Sequence, residues 1–382
     1  MTNRSWIALL VVAIVLPGIA PVPPPSFIKR PIETRIYPGI SVAVGSVAKG
    51  LIFAQAYGDA NVAAGTPMTP DTPLHVASVS KSITATAVMQ LVQSGRVSLD
   101  KPVSIYVPNF TNGAKITVRQ LLDHSSGIPG HAHNDPIIHG DDAISEAEFF
   151  RKLNATPLFA APGTKWEYAN ENFYLAATIV QNVTHQSFAS YLQKHVFGPA
   201  HMTHSYSSDG RKDASVALGY VHRTPSDPFL QCPAPDWSNV LGGGGIISTP
   251  SDIVRFDIAL YDGTLLDKTH LAEMTSAAFP IAGTVSYALG WFVQPGVLLW
   301  HEGDFTTATA INAVFPDGTF VAEVTNGAEL GPDFDRFYFA RQLQNAYGAT
   351  PVAMGTPHPA SMLEKIGPFN SCEQIFQMLF AE

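Results

Sequence analysis

The sequence predicts a mixed α/β fold of the α+β type: an antiparallel sheet formed by N- and C-terminal strands, flanked by helices, with a mainly helical subdomain inserted between them. Apolar runs typical of strands lie near both ends of the chain, at residues 40–57 and 310–325. Apolar residues at helical spacing dominate the region between. The 30 glycines and 30 prolines among 382 residues indicate many ordered turns rather than long helical bundles.

The N-terminal part of the fold is predicted to be a hairpin followed by a long helix. Residues 40–47 form the first strand candidate, and a turn ending at Gly50 leads to its partner at residues 51–57. Helical spacing of apolar side chains then predicts a helix over residues 80–94, which Gly95 ends.

Several later elements carry local signals at their ends. Thr117 and Gln120 form a capping box at the start of a helix. Thr249 can cap a helix whose first residue is Pro250, a residue that suits this position. The other predicted elements are two helices, two strands around the turn Pro316-Asp317-Gly318, and a last helix, at residues 172–184, 188–196, 310–315, 319–325 and 366–380.

Residues 1–25 are interpreted as a signal peptide followed by a proline-rich spacer. Arg4 precedes an apolar run over residues 7–16. This run is shorter than the roughly 18 residues that a membrane-spanning helix needs. Ala20 offers a small residue before a cleavage position, but Pro21 hinders cleavage there. We therefore expect an exported protein, periplasmic or secreted, with an uncleaved N-terminal membrane tether as the alternative.

The composition is that of a large folded core. We assign residues 26–349 to one domain and residues 350–382 to a C-terminal segment of unknown role. Hydrophobic residues make up 46% and charged residues 14% of the chain, which argues against disorder.

The formal net charge of −9 leaves no basic stripe, so nucleic acid is not expected as a partner. Two cysteines, Cys232 and Cys372, exclude a disulfide-stapled scaffold, and whether they pair stays open.

Ser78 and Lys81 stand one helical turn apart at the start of the helix predicted over residues 80–94. Positions i and i+3 share a helical face, so both side chains can point into the same space. A serine hydroxyl attacks a carbonyl only when a base takes its proton, and a lysine can do so when it is partly neutral. The bare Ser-x-x-Lys pattern also fits a capping serine beside a solvated lysine.

Five stretches of the chain carry further motifs, in order. They read HVASVSKSITATA at residues 75–87, LLDHSSGIP at 121–129, PGT and YAN within 162–170, GGGIISTPSD at 243–252 and WHEG at 300–303. Over residues 35–328 this order resembles the serine β-lactamase and penicillin-binding-protein family, in the branch of class C β-lactamases, D-alanyl-D-alanine carboxypeptidases and related esterases. The resemblance implies a β-lactamase/transpeptidase-like fold and a serine hydrolase, and it favours a nucleophilic Ser78 over a capping one.

The resemblance also implies catalytic roles. Ser78 would attack a carbonyl and form an acyl-enzyme, Lys81 would take or share its proton, and Tyr168 would relay protons to the leaving group and the hydrolytic water. Which of Lys81 and Tyr168 is the general base stays open. The backbone N–H groups of Ser78 and Asp304 would form the oxyanion hole. His124 is expected to hold a loop through hydrogen bonds, outside the site.

Asn170, His301 and Gly303 are the substrate-binding residues that the resemblance implies, with Asn170 also positioning the lysine of the first motif. His301 stands where β-lactam-hydrolysing relatives carry a lysine that helps bind the substrate carboxylate. A histidine of ordinary pKa, about 6.5, is mostly neutral at pH 7, which favours an esterase or a peptidase. Glu302 and Asp304 would repel an anionic substrate unless strand alternation turns both side chains away.

A metal-dependent alternative rests on His131, His133 and Asp135, which imitate a His-x-His-x-Asp motif. Pro136 follows where metallo-hydrolases commonly place another histidine. The better interpretation is a solvated, histidine-rich surface loop, so we expect no metal and no cofactor.

The sequence thus predicts an exported serine hydrolase that acts through a Ser78 acyl-enzyme on an ester, an amide or a β-lactam, with esterase or peptidase activity favoured. A class C-type β-lactamase and a penicillin-binding receptor without turnover are the alternatives. The expected partner is a small molecule or a peptidoglycan peptide. The substrate itself and the oligomeric state stay open.

Overall fold

The computed structural model describes residues 25–130, 133, 143–208, 213–222, 224–233, 239–276, 278–305, 307–328 and 335–350. The predicted signal peptide, the helix predicted over residues 366–380 and Cys372, the candidate partner of Cys232, lie outside these ranges, as do His131 and Asp135. In the part of the chain that is described, no helix is both long enough and apolar enough to cross a membrane.

The strands of the described residues are short in the middle of the chain and longer near both ends. In chain order they are β1 (Gly39–Ser46), β2 (Gly50–Asn61), β3 (Thr66–Pro67), β4 (Leu74–His75), β5 (Tyr206–Ser207), β6 (Gly219–Val221), β7 (Leu230–Cys232), β8 (Ile246–Ser248), β9 (Phe279–Ala282), β10 (Val285–Tyr287), β11 (Phe292–Gln294), β12 (Leu298–Phe305), β13 (Ala308–Val314) and β14 (Thr319–Thr325).

One large sheet combines the two ends of the chain. Nine of the described strands form it, in the order β3-β2-β1-β14-β13-β12-β11-β10-β9, and neighbouring strands are antiparallel. The hairpin β1–β2 lies beside the hairpin β13–β14, with Ile40 opposite Thr325. The predicted antiparallel sheet of N- and C-terminal strands is therefore confirmed.

Helices cover both faces of this sheet. The helices of the described residues are α1 (Arg30–Glu33), α2 (Ser80–Gln93), α3 (Val118–Leu122), α4 (Glu146–Ala155), α5 (Asn170–Thr184), α6 (Phe188–Leu192), α7 (Pro250–Tyr261), α8 (Lys268–Thr275) and α9 (Arg336–Tyr347). On one face, α2, α5 and α7 share an apolar core with Ala43 and Ala322. On the other face, α9 packs in a second core with Val42 and Val321.

Local capping signals determine where two helices begin. Thr117 and Gln120 form the predicted capping box at α3, since each side chain bonds to the backbone N–H of the other. Thr249 accepts a hydrogen bond from the backbone N–H of Asp252, and Pro250 occupies the first position of α7. Both predicted helix starts are confirmed.

Two helices differ from the prediction at their ends. The helix predicted from residue 172 begins at Asn170, because the backbone is extended only up to Ala169. The helix predicted over residues 188–196 is α-helical only to Leu192 and continues as a π-helix over Gln193–Phe197. The first difference matters for the site, because it places Asn170 at a helix N-terminus.

Asp257, on α7, carries a fully buried carboxyl group. Its Oδ1 accepts a hydrogen bond of 3.0 Å from Nδ2 of Asn312 on β13. Asp257 Oδ2 and Asn312 Oδ1 have no hydrogen-bond partner within the described residues. Burial raises the pKa of Asp257 well above its usual range, so the folded protein favours the protonated acid.

Asp257→Asn is expected to reduce the pH dependence of stability. A raised folded-state pKa stabilises the fold fully below the unfolded-state pKa, about 3.9 for an aspartate, and this contribution is lost as pH rises through the folded-state pKa. An amide has the shape of the protonated acid and is never charged. The Tm advantage of the variant over the parent should therefore grow between pH 5 and pH 8.

Asp257→Ala is the control: it removes the same titrating group, and it should be about 1–3 kcal/mol less stable than Asp257→Asn at every pH because Asn312 loses its partner. Thermal unfolding at several pH values measures both variants. An Asn variant that keeps the parent's pH dependence would contradict the assignment.

Candidate active site

Ser78 lies in a short turn between a strand and a helix. It is the middle residue of the 3₁₀ turn Ala77–Val79, which follows β4 and leads directly into α2. Ala77 has a left-handed backbone, with φ of 44°, which turns the chain sharply at a cost in free energy. The hydroxyl of Ser80 accepts a hydrogen bond of 3.1 Å from the N–H of Ile246, which ties the turn to β8. The half-buried Ser78 is thus held between two strands and a helix.

Lys81, on the first turn of α2, is fully buried, and oxygen atoms of Ser78, Asn170 and Gly243 lie within hydrogen-bond distance of its Nζ. They are Ser78 Oγ at 3.0 Å, Asn170 Oδ1 at 2.8 Å and the carbonyl oxygen of Gly243 at 2.6 Å. A neutral amine has two N–H groups and one lone pair. It can therefore donate to the Asn170 and Gly243 oxygens and leave the lone pair for the proton of Ser78. This geometry suits a lysine that takes a proton from the serine.

Tyr168 lies beside the same amino group. The centroid of its half-buried ring is 4.7 Å from Lys81 Nζ. Tyr168 lies two residues before Asn170, the first residue of α5, so one segment carries both this ring and Asn170. The structure therefore brings Ser78, Lys81, Tyr168 and Asn170 around one point.

His124, which the sequence places outside the site, packs its ring against Tyr168 with centroids 4.5 Å apart. Its Nδ1 accepts hydrogen bonds from the N–H of Ala169 at 3.3 Å and from Nδ2 of Asn172 at 3.0 Å. The buried imidazole thus holds both the tyrosine ring and the start of α5. The motif at residues 121–129 is the one signal in the sequence that could have directed attention to it.

His301, in β12, is buried, and both of its ring nitrogens have partners. Nδ1 lies 2.6 Å from the carbonyl oxygen of Glu302, and Nε2 lies 2.8 Å from the hydroxyl of Tyr287. Burial is the main cause that lowers the pKa of His301 to about 3, and Lys81 lowers it further whenever its amine is protonated. The neutral ring therefore donates from Nδ1 to the carbonyl and accepts the Tyr287 proton at Nε2. It supplies no positive charge for a carboxylate.

The carboxylates of Glu302 and Asp304 point toward α9, away from His301. Asp304 Oδ1 lies 2.6 Å from Nη2 of Arg336, and Glu302 Oε2 lies 3.9 Å from Nη1 of the same residue. Strand alternation thus turns both acidic side chains to one face of the sheet, where a cation offsets them. Their expected repulsion of an anionic substrate is weakened accordingly.

Gly303 allows β12 to lie directly against the turn that carries Ser78. A Cβ at residue 303 would lie 2.3 Å from the carbonyl oxygen of Val76 and 3.1 Å from the backbone nitrogen of Ser78. The first distance is too short for any side chain, so the contact requires glycine. Because Asp304 follows Gly303, the two N–H groups predicted to form an oxyanion hole belong to adjoining segments of main chain.

A group of aromatic side chains borders Tyr168 and His301. The ring of Tyr287 lies 4.7 Å from that of Phe292 and 6.1 Å from that of Trp166, measured between centroids. Phe292 also packs 5.4 Å from the ring of His301. Trp166 and Phe292 remain partly exposed and offer an apolar surface. No motif in the sequence marks these residues as part of the site.

Only His133 of the histidine-rich loop is described. Its Nδ1 lies 2.7 Å from Oε1 of Glu167, which also accepts the N–H of Gly130 at 2.9 Å. Among the described residues, no group of three or more His, Cys, Asp or Glu side chains could hold a metal ion. The candidate ligands His131 and Asp135 lie outside the described ranges.

The sequence of this chain is similar to a family model and to known proteins. The family model described as "Beta-lactamase" matches residues 26–345. The chain is 30% identical over 276 residues to PbpX of Bacillus subtilis (strain 168), a candidate penicillin-binding protein. That match covers 70% of this chain and 66% of PbpX, so the chain spans slightly less than two thirds of that relative.

The fold of this chain is also similar to those of solved structures. The octameric penicillin-binding protein homologue from Pyrococcus abyssi has a TM-score of 0.73 and 28% identity, over 85% of this chain and 77% of that chain. The D-amino acid amidase from Ochrobactrum anthropi SV3, solved with L-phenylalanine amide, has a TM-score of 0.67 and 27% identity, over 77% of this chain and 88% of that chain.

Proposed function

Since the chain belongs to the Beta-lactamase family of serine hydrolases, we propose that it is an exported hydrolase that forms an acyl-enzyme on Ser78 and cleaves esters or amides whose leaving groups carry no carboxylate. The distance of 3.0 Å between Lys81 Nζ and Ser78 Oγ carries the proposal, because it gives the nucleophile an adjacent base. Export rests on the signal peptide interpreted from residues 1–25.

Acylation begins when Ser78 Oγ attacks the carbonyl carbon of the substrate and passes its proton to Lys81 Nζ. Asn170 and the carbonyl of Gly243 hold the amine so that its lone pair faces the hydroxyl. The new bond from Oγ to carbon leaves a negative charge on the former carbonyl oxygen. Backbone N–H groups at the two predicted positions stabilise that charge.

Collapse of the tetrahedral intermediate completes the first half of the reaction. The bond from carbon to the leaving group breaks, and the proton passes from Lys81 through Tyr168 to the departing oxygen or nitrogen. Water then attacks the acyl-enzyme and gives up one proton along the same path. The bond from carbon to Ser78 Oγ breaks, the acid product leaves, and the serine recovers its proton.

The charges around the site support a substrate without a carboxylate. Neutral His301 has both ring nitrogens engaged, and Arg336 is paired with Asp304. The aromatic surface of Trp166 and Phe292 suits an apolar group.

Paired substrates that differ only in one carboxylate test the proposal. We expect hydrolysis of 4-nitrophenyl acetate, and at least about a tenfold higher kcat/KM for acetyl-D-alanyl-D-alaninamide than for acetyl-D-alanyl-D-alanine. His301→Lys should shift this ratio at least about tenfold toward the acid, because it places a cation beside the site. His270→Lys is the matched control, since it adds the same charge on α8, where the ring of His270 contacts Asp267 at 2.9 Å.

Other results would favour the alternatives. A parent enzyme that prefers the acid contradicts the proposed substrate class. Turnover of a chromogenic cephalosporin instead of the ester indicates a β-lactamase. A stable adduct on Ser78 without turnover of any substrate indicates a receptor.

A further inference from the structure

Arg336 is an almost fully buried cation behind β12. Its side chain is 6% exposed and forms two hydrogen bonds with Asp304, of 2.6 Å from Nη2 to Oδ1 and 3.1 Å from Nη1 to Oδ2. Nη1 also lies 3.4 Å from the carbonyl oxygen of Gly303 and 3.5 Å from that of Ala310 on β13. One side chain of α9 therefore contacts a carboxylate and two main-chain carbonyls near the end of β12.

The carbonyl of Gly303 and the N–H of Asp304 belong to the same peptide unit. That unit is planar, and in its trans form the two groups point in opposite directions. A donor that holds the Gly303 oxygen therefore helps to fix the direction of the Asp304 N–H. The same hydrogen bond polarises the peptide and makes its N–H a stronger donor.

We propose that Arg336 is a positioning residue that aims the backbone N–H of Asp304 at the oxyanion. This inference rests on the proposed function, because it requires acyl transfer at Ser78. Glycine at residue 303 gives β12 no side chain with which to brace this peptide, and glycine has the widest backbone freedom of any residue. The guanidinium of Arg336 hydrogen-bonds to the Asp304 side chain and to the Gly303 carbonyl. It therefore restrains this peptide from the opposite face of the sheet.

A purely structural role for Arg336 predicts a different behaviour. If the ion pair only held α9 against the sheet, its loss would lower Tm and the fraction of active molecules. The rate per active molecule would stay unchanged. A positioning role lowers the rate per active molecule. A displaced N–H group stabilises the negative charge of the transition state less, while it changes the free energy of the bound substrate little.

Arg336→Met and Arg336→Lys separate these roles when active sites are counted with a fluorophosphonate. Per titrated site, we expect Arg336→Met to lower kcat for 4-nitrophenyl acetate about 10- to 100-fold with little change in KM. The Ki of a boronic acid, whose adduct on Ser78 is anionic and tetrahedral, should rise by a similar factor. Arg336→Lys keeps the charge without the fork and should recover part of the loss.

Arg341→Met is the matched control, because it removes the same charge from the same helix, and no hydrogen bond or ion pair among the described residues ties Arg341 to β12. Asp304→Asn provides a second route should Arg336→Met fail to fold. It keeps the backbone N–H and removes the ion pair, and we expect kcat to fall several-fold.

Unchanged kcat per titrated site and unchanged boronic acid affinity in Arg336→Met, or in Asp304→Asn if Arg336→Met does not fold, would overturn the inference. A parent protein that the fluorophosphonate does not label at Ser78 would instead overturn the proposed function. The two failures are therefore distinguishable.

Discussion

Ser78→Ala is expected to lower kcat/KM for a nitrophenyl ester by at least about 1000-fold. The hydroxyl is the group next to Lys81 Nζ that can form the acyl bond, so its loss removes the covalent intermediate. Mass spectrometry of the protein after incubation with a fluorophosphonate should show an adduct on the parent and none on the variant. Steady-state hydrolysis of the ester measures the loss of rate.

Ser82→Ala is the matched control for this substitution. Ser82 lies on α2, the helix that follows Ser78, and its hydroxyl donates to the carbonyl of Val79. We expect this variant to retain most of the activity. If hydrolysis persists in Ser78→Ala and requires zinc, the chemistry belongs to the loop of His131, His133 and Asp135, and the assignment of Ser78 is wrong.

Gly303→Ala is expected to lower kcat by about 100-fold or more while the protein still folds. The new Cβ would lie 2.3 Å from the carbonyl oxygen of Val76, so β12 must move away from the turn that carries Ser78. The contact is with backbone, which cannot rotate aside as a side chain can. The N–H groups of Ser78 and Asp304 would then no longer lie at the separation that one oxyanion needs.

Circular dichroism and Tm show whether the Gly303→Ala protein is folded, and fluorophosphonate titration counts its reactive serines. The expected result is a folded protein with slow acylation per reactive serine. Full activity in this variant would show that β12 does not supply a donor to the oxyanion. Loss of the folded protein would show instead that the close contact supports the fold itself.

The helix starts and the turn near the site could be predicted from residues that are close together in the sequence. The capping groups of Thr117 and Thr249 and the turn of β13–β14 depend on neighbours within four positions, and these predictions are confirmed. The family predicted from five ordered motifs is also confirmed. The contact between Ser78 and Lys81 could be predicted in the same way, because residues three positions apart lie on the same side of a helix.

The contacts between distant segments could not be predicted in the same way. Nothing near His301 in the sequence indicates that Tyr287 occupies its Nε2, and nothing near Asp304 indicates Arg336. Such pairs depend on how strands and helices pack, and many other polar residues could occupy the same places with the same local pattern. The neutral state of His301 follows from this packing, because burial is the main cause of its lowered pKa.

The place of β1 between β2 and β14 also has a consequence for how the protein is made. During synthesis the first hairpin emerges early, but its second neighbour is translated only when the ribosome approaches Thr325. Until then β1 has an unpaired edge, and the entropy of closing so long a loop delays its pairing. The turn that carries Ser78 likewise has no contact with β12 until residues 298–305 have been translated, so the catalytic geometry cannot form before that point.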